Sequence, residues 1–237
     1  MTTIASNLQA VRDAIARAAA GADRRTVEIS LLAVSKTFPP DAIREAYRAG
    51  QRCFAESYVQ EALDKIAALR DIPIEWHYIG PIQSNKTRAI AENFSWVHSL
   101  DRLKIAERLS DQRPARLPEL QVCMQVNISK EASKSGVAPD EAVNMAHAIA
   151  RLPKLKLRGL MAVPAPSDDF AVQRRNFAKL RELRDELNRQ GMQLDTLSMG
   201  MSHDFAAAIA EGATIVRIGT AIFGERNYGA ETKEKAK

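Results

Sequence analysis

The chain has 237 residues, 46% hydrophobic and 27% charged, a balance that fits a soluble globular protein and excludes collagen-like or disordered chains. Its net charge of +5 comes from basic residues interleaved with acidic ones, as in KLRELRDELNRQ, which marks solvated helix faces and excludes a dedicated nucleic-acid surface. No apolar run nears the roughly 20 residues of a membrane span, and no basic segment leads into an apolar core at the N-terminus, so a cytoplasmic location is expected.

In chain order, the spacing of Ile4, Leu8, Val11 and Ile15 predicts a helix over Ile4 to Ala20, with Gly21 as its stop. Short apolar runs then alternate with helical segments. VEISLLAVS precedes DAIREAYRAG, RCFAES precedes VQEALDKIAALR, IEWHYIG precedes NKTRAIAENF, and WVHSL precedes LKIAERLS. LQVCMQVNI precedes DEAVNMAHAIARL, LKLRGLMAV precedes a long helix from about Asp168 to Gln190, DTLSMG precedes FAAAIAEG, and TIVRIG closes the series. Strands that alternate with crossover helices are parallel, and eight such units fit a single (β/α)8 TIM barrel with an extra N-terminal helix better than an open doubly wound sheet. One domain over residues 1–229 is expected, with 230–237, including the biased run ETKEKAK, as a frayed tail.

In such a barrel, function belongs where the strands end and the βα loops gather. LLAVSKTFPP puts Lys36 at the end of an apolar strand, on the same face as Leu32 and Val34. Such a lysine either reaches the rim and stays solvated or forms a Schiff base with a carbonyl compound. GMSHDFAAAI offers Gly200 and the Ser202 hydroxyl at a helix start, although Ser202 or Asp204 could equally cap that helix. RIGTAIFG offers Gly219 and Thr220, with Arg217 on the strand before them. Phosphate-holding loops together with a strand-end lysine describe a phosphorylated carbonyl compound, a requirement that pyridoxal 5'-phosphate meets. Arg217 would then face the pyridine nitrogen and keep it unprotonated, the alternative being an ion pair inside the barrel. SHD at 202 to 204 cannot fold into a nucleophilic triad. His77, His98, His147 and His203 include no pair with metal-ligand spacing on one element, and Cys53 and Cys123 lie outside any CxxC, so no metal is expected and both thiols read as structural. Glu56 is the one obvious acid or base for a cofactor-free Schiff-base aldolase.

These motifs, with YVQEALDKI, WHYIGPIQSNK, SLDR, VNIS, SKSG, RGLMAVPAP and VRIGTAIFGERNY, run in order from about Leu31 to Tyr228. The sequence thereby resembles the pyridoxal phosphate homeostasis proteins of the YggS/PROSC type. The resemblance implies a barrel like the N-terminal domain of alanine racemase. It also implies pyridoxal phosphate held as an internal aldimine on Lys36, its phosphate on Ser202, Gly219 and Thr220, and Arg217 toward the ring. The full candidate cofactor set adds Ser57, His77, Asn127, Met199 and Gly200. The family is one of vitamin B6 homeostasis without established catalysis, so the expected role is a non-catalytic, monomeric carrier with pyridoxal phosphate-dependent apoenzymes as transient recipients. A racemase-like enzyme is the alternative, but racemases of this fold add a second domain with a catalytic tyrosine, for which this chain leaves no room. FAES at 54 to 57 departs from the family's FGEN, which puts a cofactor contact at Ser57 in doubt. Lys134 in the SKSG loop receives no role.

Overall fold

The computed structural model describes residues 3–129 and 135–225; Lys134 and the expected tail lie outside them. Helix α1 spans Ile4–Ala20 as its periodicity predicts, and Thr3 and Ser6 cap it reciprocally. It buries Leu8, Val11, Ile15 and Ala19. Strand β1 is Ser30–Val34, shorter than the predicted run, because Thr26–Glu28 forms a 3-10 turn. Val27 in that turn is 83% exposed, and pairing starts only where Ser30 meets the last strand.

The expected alternation follows. After β1 come α2 (Pro40–Arg48), β2 (Cys53–Glu56), α3 (Val59–Ala68), β3 (Glu75–Tyr78), α4 (Thr87–Asn93), β4 (Trp96–Leu100) and α5 (Leu103–Gln112). The second half holds β5 (Leu120–Gln125), α6 (Ala142–Ala150), β6 (Leu155–Met161), α7 (Phe170–Arg189), β7 (Thr196–Ser198), α8 (Phe205–Ala210), β8 (Ile215–Ile218) and a short α9 (Thr220–Phe223). All eight strands are parallel and the sheet closes, with Leu32 of β1 opposite Arg217 of β8.

Side-chain alternation sorts the strands into two faces. Ala33, Phe54, Tyr78, Val97, Met124 and Leu197 join the helices in one continuous core. Leu32, Val34, Ala55 and Ile215 form a separate cluster of strand residues, and Trp96, Cys123 and Met161 another. Those smaller clusters fill the barrel interior. No helix of the described residues is long and apolar enough to cross a membrane.

Candidate functional site

A cavity of about 190 Å³ opens at the C-terminal ends of β1 and β8, lined by Val34, Lys36, Ile79, Met201, Ser202, His203, Arg217, Gly219 and Thr220. The two-residue period of β1 decides which way Lys36 points. Leu32 and Val34 face inward, so Lys36, two residues beyond the strand end, lines the cavity half-buried.

The turn that carries Lys36 is clamped from outside the barrel. Ser35 points outward with Glu56, and its hydroxyl donates to Glu56 Oε1 at 2.6 Å. Lys65 of α3 donates to the same oxygen at 2.9 Å, to the Ser35 carbonyl at 2.8 Å and to Glu61 Oε1 at 2.5 Å. Glu61 Oε1 also accepts the Thr37 amide at 2.6 Å. Lys65 therefore holds the residue before Lys36 directly and the residue after it through Glu61. The restraint matters because Thr37, a β-branched residue, sits at φ 70°, where only surrounding contacts keep it. Burial holds the Glu56 carboxyl above its ordinary value against the pull of Lys65 and Ser35, and Glu56 Oε2 is buried without a hydrogen-bond partner among the described residues. Glu56 thus lies on the face away from Lys36. An aldolase that used it as acid or base is incompatible with this geometry.

Arg217 lines the other side of the cavity and is fully buried otherwise. Its Nη1 donates to the Ser198 carbonyl at 2.5 Å and to Ser198 Oγ at 2.8 Å, and Nη2 donates to the Ala162 carbonyl at 2.9 Å. These are neutral acceptors, so the barrel-interior ion pair is not what holds it. Burial lowers the guanidinium pKa to about 10, which leaves it charged at neutral pH. Two of its five N–H donors stay uncommitted among the described residues.

Below Arg217 a hydrogen-bond chain crosses the barrel. Ser198 Oγ lies 2.7 Å from His98 Nδ1, His98 Nε2 lies 2.9 Å from His77 Nδ1, and His77 Nε2 lies 2.8 Å from Glu75 Oε1. Burial depresses the pKa of both imidazoles, so both are neutral. Proton positions follow from the chain's ends. A guanidinium can only donate and a carboxylate can only accept, which assigns the proton of each ring to Nε2 and points every bond from Arg217 toward Glu75.

The two loops suit an anion. Gly200 has φ +93°, a conformation that favours glycine, and a Cβ there would stand 2.6 Å from Ala208 Cβ. A Cβ on Gly219 would come within 3.1 Å of the Val34 carbonyl. Asp204, not Ser202, ties the first loop, accepting the Met201 amide at 2.6 Å, and neither side chain caps α8. Ser202 and Thr220 both line the cavity.

Of the predicted set, Lys36, Ser202, Arg217, Gly219 and Thr220 converge on this cavity. The others do not line it. Met199 is buried in the helix-facing core, and Gly200 shapes its loop while its carbonyl accepts the Arg217 amide. His77 lies deeper in the barrel, Ser57 is buried beside Tyr78, whose hydroxyl donates to its carbonyl, and Asn127 pairs its amide with the Val137 carbonyl. Val34, Ile79, Met201 and His203 complete the lining and stood outside the expected cofactor set, though Met201 and His203 sit in a loop the sequence had marked.

A family described as the alanine racemase N-terminal domain matches residues 6–227. The pyridoxal phosphate homeostasis protein of Pseudomonas aeruginosa is 61% identical over 230 residues, which cover 97% of this chain and 99% of that one. PipY of Synechococcus elongatus PCC7942, whose structure was solved with PLP bound, superposes with a TM-score of 0.82 at 38% identity over 94% of this chain and 100% of that chain. The alanine racemase of Corynebacterium glutamicum shares the fold, with a TM-score of 0.66 at 19% identity over 89% of this chain and 60% of that chain.

Proposed function

The chain belongs to the alanine racemase N-terminal-domain family, and within it to the pyridoxal phosphate homeostasis proteins; from that premise we propose that it binds pyridoxal 5'-phosphate on Lys36 and serves vitamin B6 homeostasis as a carrier without catalysis of its own. One observation carries the reading: an amine, two hydroxyls and a guanidinium, contributed by the ends of β1, β7 and β8, share a cavity that no carboxylate among the described residues lines. That donor set fits the group. When bound, it supplies an aldehyde that condenses with a primary amine, releasing water, so a lysine can hold it covalently.

Each residue then has a task. Lys36, fixed by the Ser35–Glu56–Lys65 clamp, presents its amine to the cavity. Ser202 and Thr220 donate hydroxyls to the phosphate, and Gly219 lets the chain approach closely. Arg217 donates an N–H toward the ring nitrogen and cannot itself surrender a proton to it, so the ring stays a weak electron sink. Racemisation needs a proton acceptor on each side of the substrate, and Lys36, His203 and Arg217 are the titratable groups among the described residues lining the cavity. His203 is exposed and Arg217 stays protonated, which supports the carrier over the racemase. The protein works as a cytoplasmic monomer, and apo forms of enzymes that use the same cofactor are its transient recipients.

The test is the visible spectrum of the purified protein before and after borohydride reduction, with peptide mapping. The expected band vanishes on reduction, the cofactor adduct maps to Lys36, and Lys36→Ala has neither. A protein that stays colourless with added pyridoxal phosphate, or an adduct on another lysine, overturns the assignment.

A further inference from the structure

We propose that the N-terminal floor of the barrel, opposite the Lys36 cavity, carries a site for a divalent ion of the zinc class, held by Cys53, Glu75 and His77. Sequence spacing hides it, because the ligands come from two strands. Cys53 opens β2 directly beside Glu75, which opens β3, and His77 stands two residues further along the same face. Cys53 Sγ lies 3.5 Å and His77 Nε2 lies 2.8 Å from the same Glu75 oxygen, and all three donor atoms fall within 4.8 Å of one another. Ligands in a tetrahedral zinc shell are roughly 3 to 4 Å apart, so small side-chain shifts complete the arrangement and leave a fourth position for water.

The donor chemistry selects the ion. Thiolate, imidazole and carboxylate together form the borderline set that suits Zn²⁺ or Co²⁺, and Mg²⁺ or Ca²⁺ would demand oxygens. A thiolate and a carboxylate also cancel the divalent charge, which a half-buried position requires. The nearby Arg158 does not oppose the ion, since its guanidinium is held by Asp195 at 2.6 Å and by Gln121 at 2.9 Å. The Glu75 side chain is 47% exposed, and surface cavities reach Cys53 on one side and Glu75 on the other, so an ion has a path in.

The hydrogen-bond chain is an independent feature that supports the site. A metal-bound imidazole normally has its second nitrogen hydrogen-bonded within the protein, and His77 Nδ1 has buried His98 Nε2 at 2.9 Å. With the ion on Nε2, the His77 proton moves to Nδ1 and donates to His98. His98 then donates from Nδ1 to Ser198 Oγ, which accepts from it and from Arg217, so both nitrogens of His98 stay hydrogen-bonded. This site does not depend on the cofactor reading.

Untagged full-length protein, stripped with a chelator, is titrated with Co²⁺. Saturable binding of one ion with a thiolate-to-cobalt charge-transfer band and tetrahedral d–d bands, displaced by Zn²⁺, is expected. Cys53→Ser loses the charge-transfer band, Glu75→Gln weakens Co²⁺ at least about tenfold, and Cys123→Ser changes neither. Circular dichroism checks each fold, and if Cys53→Ser does not fold, Glu75→Gln at its half-exposed position decides. Absence of saturable absorbance, a band that survives Cys53→Ser, or undiminished affinity in Glu75→Gln overturns the proposal.

Discussion

Replacing Lys65 with methionine tests whether the turn bearing Lys36 is held from outside the barrel. The substitution keeps most of the side-chain volume but removes the donor that joins Glu56, Glu61 and the Ser35 carbonyl. Lys65 and Glu56 have side chains only 5% and 0% exposed, so an uncompensated buried carboxylate remains, and breaking such a pair costs about 3 to 5 kcal/mol. In a domain of this size that lowers the melting temperature by about 6 to 20 °C. The deficit depends on pH, and its sign follows from Glu56. Burial already raises its folded pKa above 4.5, and without Lys65 only the Ser35 hydrogen bond opposes the rise. The folded form then keeps a proton that the unfolded form has released, so stability falls as pH rises from 4.5 toward the raised folded value, by up to about 1.4 kcal/mol per unit. The deficit is smallest near the ordinary carboxyl pKa and largest at neutral pH. Adding Glu56→Gln removes the stranded charge and recovers part of the loss. Thermal melts across pH, with the rate of pyridoxal phosphate attachment to Lys36 followed in parallel, provide the assay. A variant that melts within about 1 kcal/mol of the parent, with a pH-independent deficit and an unchanged attachment rate, refutes the clamp.

Three further outcomes follow from the same geometry. Ser198→Ala strands His98 Nδ1 and removes one acceptor of Arg217, costing about 1 to 3 kcal/mol or about 2 to 12 °C in melting temperature, and nitrogen NMR should show His98 losing its fixed tautomer. Ser202→Ala, with the loop still tied by Asp204, weakens pyridoxal phosphate about 10- to 100-fold through one charge-assisted hydrogen bond, read by equilibrium titration of the visible band. Cys123 is fully buried with its thiol pushed up to about 12, so it resists alkylation in the native protein and reacts only on unfolding, as mass spectrometry of labelled peptides would show.

What the sequence displayed, and what it hid, divides along the reach of its periodicities. Helix α1 was legible residue for residue because four apolar positions at helical spacing end at a glycine. The barrel was legible because strand and helix alternate through eight units and because parallel strands require crossovers. Lys36 was legible too, since a period of two places it with Leu32 and Val34 whichever face is inside. Glu56 shows where that rule stops. Its strand carries Phe54 and Glu56 on one face and Cys53 and Ala55 on the other, and both faces are apolar enough to be buried. Only pairing with the neighbouring strands decides that Phe54 meets the helices, and Glu56 goes with it.

The chain from Arg217 to Glu75 was further out of reach, because its members come from β3, β4, β7 and β8, and His98 of β4 meets Ser198 of β7 only when the sheet closes. His98 and Ser198 lie 100 residues apart in the chain, and no local spacing relates two side chains that meet across a closed barrel. Closure also explains why they had to meet. A polar side chain buried inside the barrel loses its water, and Arg217, two imidazoles and a hydroxyl are buried there because, with the Ser198 and Ala162 carbonyls, they satisfy one another in a series that ends on Glu75, which stands half in solvent.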